Sequence, residues 1–103
     1  MTDEFKHITS FDRLIHEPSR LAIMAVLYAS AGADFTYLLN ATGLTKGNLS
    51  AHLRKLETPG YLEIKKSFKG NYPHTTAALT RAGRQAFEAY RKQYLKLAKQ
   101  LEK

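Results

Sequence analysis

The feature that most constrains this chain is a change of hydrophobic period between Leu56 and Leu62. Before it, apolar residues recur three and four apart, as in helices that pack through one face. Leu49, Leu53 and Leu56 form one such stripe. After it the period drops to two. In Tyr61–Phe68, Leu62 and Ile64 alternate with Glu63 and Lys65, and in His74–Leu79 the residues Thr75, Ala77 and Leu79 share a face. Lys69-Gly70-Asn71-Tyr72-Pro73 lies between these runs and reads as a hairpin turn. The helical period then returns and holds to the end. Such a chain is α+β and mainly α: helices, one hairpin over 61–79, and a long last helix.

The remaining helices follow from the same spacing. Phe5, Ile8, Phe11 and Leu14/Ile15 predict an N-terminal helix over about 4–16. Pro18 closes it, because the residue before a proline is driven out of helical geometry, and proline suits the first turn of the next helix. Leu21, Met24, Ala25, Leu27 and Tyr28 carry that helix towards Gly32. Asp34 or Thr36 can cap a short helix bearing Phe35, Leu38, Leu39 and Ala41, which stops at Thr42-Gly43. Thr45 caps a third helix, ended by Thr58-Pro59-Gly60. Thr80 caps the last one, over about 80–101. The expectation is about five helices and one hairpin in a single domain spanning 1–103.

The 103 residues suffice for one domain, and 44% of them are hydrophobic, enough for a core. With no cysteine, disulfides and thiolate chemistry are excluded. No apolar run approaches the ~18 residues that a membrane span needs. The start, MTDEFKHITSF, has no signal-peptide core, so a cytoplasmic location is expected. No nucleophile elbow, phosphate-binding glycine loop or carboxylate pair beside a histidine is present, so enzyme activity is not expected. His7, His16, His52 and His74 are scattered without ligand spacing, so neither metal nor cofactor is expected.

The net charge is +7, and its distribution is uneven. Residues 1–45 are slightly acidic. Residues 46–92 carry ten basic side chains against Glu57, Glu63 and Glu88. A basic stripe of this kind suits a polyanion, and it equally suits a solvated surface. Residues 36–57 narrow the choice. TYLLNATGLTKGNLSAHLRKLE reads as helix, short glycine-containing turn, helix, the plan in which one helix is held end-on for a major groove. Leu38, Leu39, Leu44, Leu49 and Leu53 supply the packing. The face left over carries Lys46, Gly47, Ser50, Ala51 and Arg54, flanked by Asn48, His52 and Lys55. His52 has two readings, a phosphate donor or a residue at the core edge.

Helix-turn-helix, basic hairpin, then helix is the order of a winged helix. The chain resembles winged-helix transcription regulators of the MarR/ArsR type over about residues 12–94. The likeness rests on LTKGNLSAHLRKLE, PGYLEIKKSF and LTRAGRQAF, and EPSRLAIMAVL (17–27) resembles an ArsR-type helix start. The resemblance implies a homodimer on a pseudo-palindromic double-stranded DNA operator, repressing or sometimes activating nearby genes. It implies DNA contacts from Thr45, Lys46, Asn48, Ser50, His52, Arg54 and Lys55 in the major groove. From the wing it implies Lys65, Lys66, Lys69, Tyr72 and His74 on flanking backbone or minor groove. Ala51 stands where relatives often carry a polar residue, and the wing tip has fewer arginines than theirs.

In the last helix, Phe87, Tyr90, Tyr94, Leu97 and Leu101 are spaced 3, 4, 3, 4, as in a coiled-coil seam. The same stripe would suit packing within one domain, but its length favours a seam between copies. With Phe5, Ile8 and Phe11 these residues are the expected dimer interface. Phe11, Tyr28, Tyr90 and Tyr94 resemble the lining of a MarR-type effector pocket and read as well as plain dimer core; no effector is indicated. Two other readings remain: a winged-helix protein-interaction module and a nonspecific DNA-architectural protein.

Overall fold

A computed structural model describes residues 2–102 of the chain. A 3-10 segment, Thr2–Ser10, is followed by α1 (Pro18–Tyr28), β1 (Ala33–Asp34), α2 (Phe35–Thr42) and α3 (Lys46–Glu57). Then come β2 (Leu62–Lys69), β3 (Tyr72–Leu79) and α4 (Arg81–Gln100). This is a winged helix, with the two long strands as the wing.

Each helix begins where a side chain satisfies a backbone N–H that the helix itself leaves free. The Glu17 carboxylate accepts from Arg20 N (2.8 Å) with Pro18 opening α1. Asp34 accepts from Tyr37 N (2.7 Å), Thr45 from Asn48 N (3.1 Å) and Thr80 from Gly83 N (3.0 Å). Gly43 ends α2 with φ +70°, a left-handed conformation that glycine adopts without steric cost. The core joins Ile23, Met24 and Leu27 of α1 to Leu38 of α2 and to Leu49, Leu53 and Leu56 of α3. Leu62 and Ala77 of the sheet and Phe87 and Tyr90 of α4 close it.

The sheet order is β1-β3-β2, all antiparallel, with Leu62 opposite Leu79 and Lys69 opposite Tyr72. Only Gly70 and Asn71 lie outside the pairing, so the turn is tighter than the five residues expected, and β3 starts at Tyr72, not His74. Gly70 takes φ +66° there, as a two-residue hairpin turn requires. Pro73 pairs with Phe68 beyond the reach of β1, where β3 is an edge strand and proline is tolerated. The short β1 was not expected, since two residues carry no periodicity.

The N-terminus departs from expectation. A single α-helix over 4–16 does not form; the 3-10 segment stops at Ser10 and a turn follows. Asp12 explains the break. Its carboxylate accepts from Leu14 N (2.9 Å) and Ile15 N (3.4 Å), so the chain turns on a side chain where a helix would have used backbone carbonyls. The other carboxylate oxygen of Asp12 accepts a short hydrogen bond from the Tyr61 hydroxyl, tying this turn to the base of the wing.

That tie is titratable. Burial first, then the hydrogen bond and charge of Asp12, push the Tyr61 phenol up to about 12 from its usual value near 10. The folded-state value is the raised one, so the contribution to stability is complete below pH 10 and fades as pH rises towards 12. Urea titrations of the wild type and Tyr61→Phe should therefore differ by a constant amount up to pH 10 and converge above it. A gap unchanged at pH 12 would contradict this account.

Candidate nucleic-acid interface

The outward face of α3 follows from its inward one. With Leu49, Leu53 and Leu56 buried, a helix of 3.6 residues per turn points Gly47 and Ala51 directly away from the core. Lys46, Asn48, Ser50, Arg54 and Lys55 flank them, and all seven residues are exposed. The centre of the face is small and its margins are donors. A methyl group added at Gly47 would meet nothing within 4 Å in its own chain. Packing therefore does not require glycine there, although glycine costs up to ~1 kcal/mol relative to alanine in a helix.

The flanks of α3 have different neighbours. Ser50 and Arg54 face the wing across a cavity of about 450 Å3, closed on the other side by Ile64, Lys66 and Thr75. His52 lies on the opposite flank, half-buried, with its Nδ1 3.2 Å from Nη1 of Arg20 on α1. An arginine can only donate, so Nδ1 is the acceptor and the proton of neutral His52 sits on Nε2. Arg20 also donates to Leu14 O (2.6 Å) and lies 4.0 Å from the Glu17 carboxylate. Glu17 is held below the usual carboxylate range, first by the Arg20 backbone hydrogen bond. The core-edge reading of His52 thus has a partner in the structure, and Arg20, absent from the sequence-based set, supports α3 from behind. No spacing rule links residues 20 and 52.

The hairpin register divides the expected wing residues between two faces. Lys66 shares a face with Leu62, Ile64, Phe68, Thr75 and Ala77, the face that meets α3. Lys65, Lys69, Tyr72 and His74 lie on the other face. Lys65 is 3.8 Å from Glu63, an exposed pair that contributes little to stability. His74 is half-buried; Tyr72 is 77% exposed at the tip. Phe68, absent from the expected set, is 75% exposed on the α3 side of the wing. Carrying the alternation from Leu62 one step past Lys66 would have found it.

The expected dimer residues divide into two groups in the single chain. Phe11, Phe87 and Tyr90 are buried within their own chain, and Ile8 packs half-buried on the same core. Phe11 and Tyr90 meet edge to face with ring centroids 5.5 Å apart. The Tyr90 hydroxyl lies 2.8 Å from His16 Nδ1, and burial first raises the Tyr90 phenol above its usual value. Tyr28 stands apart from this group, packed on Phe87 and donating to Glu88 (3.0 Å) with Arg84 over its ring. The first half of α4 lies on the domain body, so its stripe begins as core and becomes available only beyond Tyr90. There Leu97 is half-buried, while Phe5, Tyr94, Leu95 and Leu101 are 43–63% exposed. This end of α4 is tied to the N-terminal segment: Gln100 lies 2.8 Å from His7 Nε2 and donates to Glu4 O (2.6 Å).

Among the described residues no group of three His, Cys, Asp or Glu side chains is placed to hold a metal ion. No helix among them is long and apolar enough to cross a membrane.

Comparison with known proteins agrees with this geometry. Residues 19–99 match the family model described as a winged helix DNA-binding domain. An uncharacterized protein of Methanocaldococcus jannaschii is 38% identical over 90 residues, covering 87% of this chain and 98% of that protein. The structure of a transcriptional regulator homologue from Pyrococcus horikoshii OT3 superposes with TM-score 0.87 at 27% identity, covering 98% and 99% of the two chains. The transcriptional repressor CouR, solved on a 23-mer DNA duplex, shares the fold at TM-score 0.65 and 22% identity, over 84% of this chain and 66% of that one. Regulators of the MarR and ArsR families share it too. The chain belongs to the winged helix DNA-binding domain family and has the fold of MarR- and ArsR-type transcriptional regulators.

Proposed function

We propose that this protein is a sequence-specific, double-stranded-DNA-binding transcriptional repressor that acts as a homodimer in the cytoplasm. The observation that carries the proposal is the outward face of α3: small at Gly47 and Ala51, edged by Lys46, Asn48, Ser50, Arg54 and Lys55, and contiguous with the wing through Lys66. In this reading α3 enters the major groove, with Arg54 and Asn48 reaching base edges and Thr45, Lys46 and Lys55 at phosphates. His52 presents its Nε2–H to the backbone. Lys65, Lys66, Lys69, Tyr72 and His74 flank the site from the wing. Repression follows the precedent of CouR. Two copies join through Tyr94, Leu97 and Leu101 with Phe5, presenting their α3 helices about 34 Å apart to successive major grooves.

Selecting bound duplexes from a random pool tests the reading directly. An enriched palindrome is expected; an unenriched pool that still binds would make the protein a nonspecific architectural one. On the selected site, Arg54→Ala should weaken binding by about 1–3 kcal/mol and relax discrimination at one position per half-site. Lys66→Ala should weaken binding on all sequences alike and lower the log–log salt slope by about 0.9 per copy. Equal losses on every sequence for Arg54→Ala would remove it from the base-reading set.

A further inference from the structure

We propose that the wing tip is an apolar wedge, with Phe68 entering the minor groove beside the sequence that α3 reads and parting a base step there. The inference rests on the DNA-binding reading above and adds a contact that basic wing residues cannot make. Phe68 is 75% exposed, and its pairing partner Pro73 is exposed as well, so the ring does not serve the core of its own chain. A large aromatic ring left in water at the end of a hairpin forgoes the stabilisation that burial would bring.

Register and charge indicate what covers it. Phe68 projects from the face that closes the α3 cavity, two residues beyond Lys66, so a duplex seated on α3 passes on the Phe68 side of the wing. Lys66, exposed on the same face, stands beside it, and a cation there suits the phosphate rail of a groove. The turn of Gly70 and Asn71 keeps the tip only two strands wide. A minor groove about 6 Å wide admits a ring more readily than a ribbon, and side chains such as Phe kink duplexes by unstacking one step. The tip has no arginine, so an apolar contact stands where a guanidinium would read groove width. Tyr72, on the opposite face, lies outside the contact.

The test uses the intact protein and a duplex recovered from the random pool, carrying 2-aminopurine at successive steps of the flank. Wild-type binding is expected to raise fluorescence at one flanking step, and Phe68→Ala to abolish that rise and lower affinity about tenfold. The salt slope should stay unchanged, because no phosphate contact is lost, and Phe68→Leu should keep much of the affinity. Phe68→Ala removes an exposed side chain, so its melting temperature should match the wild type. Unchanged affinity with the fluorescence rise intact would overturn the wedge while leaving the DNA-binding reading in place. A loss of self-association in place of DNA affinity would assign Phe68 to contact with a second copy and overturn it equally. Absence of any duplex bound by the wild type would sink the parent reading and the wedge together.

Discussion

Gly83→Ala should lower the melting temperature by roughly 5–20 °C, corresponding to about 1–3 kcal/mol in a domain of this size. Gly83 is buried in the first turn of α4, and a Cβ placed there lands on the backbone carbonyl of Tyr61, far inside contact distance. That carbonyl is not free to retreat. It accepts from Thr80 N (3.0 Å), and the Thr80 hydroxyl in turn donates to Gly60 O. Alanine would gain at most ~1 kcal/mol of helix propensity, less than the clash costs, so the net sign is destabilising. Either α4 lifts off the base of the wing or the Thr80–Tyr61 hydrogen bond breaks. Calorimetry checks this, and a melting temperature equal to or above the wild type would show that the junction yields freely. Gly47→Ala is the control: it meets empty space, so it should leave stability level or slightly higher while weakening DNA binding by crowding the groove.

Placing glutamates at both Tyr94 and Leu101 should separate the two copies and lower affinity for a palindromic site by a hundredfold or more. The reason is effective concentration. Joined copies bind the second half-site intramolecularly, which adds about 10²–10⁴ in avidity without any new contact; separated copies bind as independent single domains. The charge would fall chiefly on the pair, since within its own chain Tyr94 gives up only a stacking contact with Tyr90 (ring centroids 6.3 Å apart). Tyr94 is 53% and Leu101 63% exposed in the single chain, so glutamate stays hydrated once the copies part. Phe87 and Tyr90, on the same stripe, are unsuitable, since their replacement would damage the chain's own core. Sedimentation velocity and DNA titration read the two effects separately. A double variant that still sediments as a dimer would move the seam away from the end of α4.

Much of the fold is legible in local sequence because its signals are local. Thr45 and Thr80 cap by reaching three residues ahead, and the leucines of α3 are buried because their spacing alone aligns them. The period-two run opposes Leu62 to Leu79 for the same reason. The candidate interface is legible to the same degree, since the outward face of a helix is the complement of its inward one. Where local patterns compete, the sequence is silent. Phe5, Ile8 and Phe11 have helical spacing, yet one carboxylate at Asp12, bonded to nearby backbone and to Tyr61 far along the chain, ends that helix early.

The amino-acid sequence by itself determined the order of the helices and the wing, the caps, and the donor-rich face of α3, because each depends on neighbours within a few residues. Only the tertiary structure decided which apolar stripe is core and which is free. Phe87 and Tyr90 are covered and Tyr94 and Leu101 are not, although all four obey one spacing. It also decided that Arg20 stands behind His52 and that the Tyr61 carbonyl leaves room only for a glycine at 83. Burial and close approach depend on where distant segments end up in space, and periodicity along one element carries no information about how far its neighbour extends.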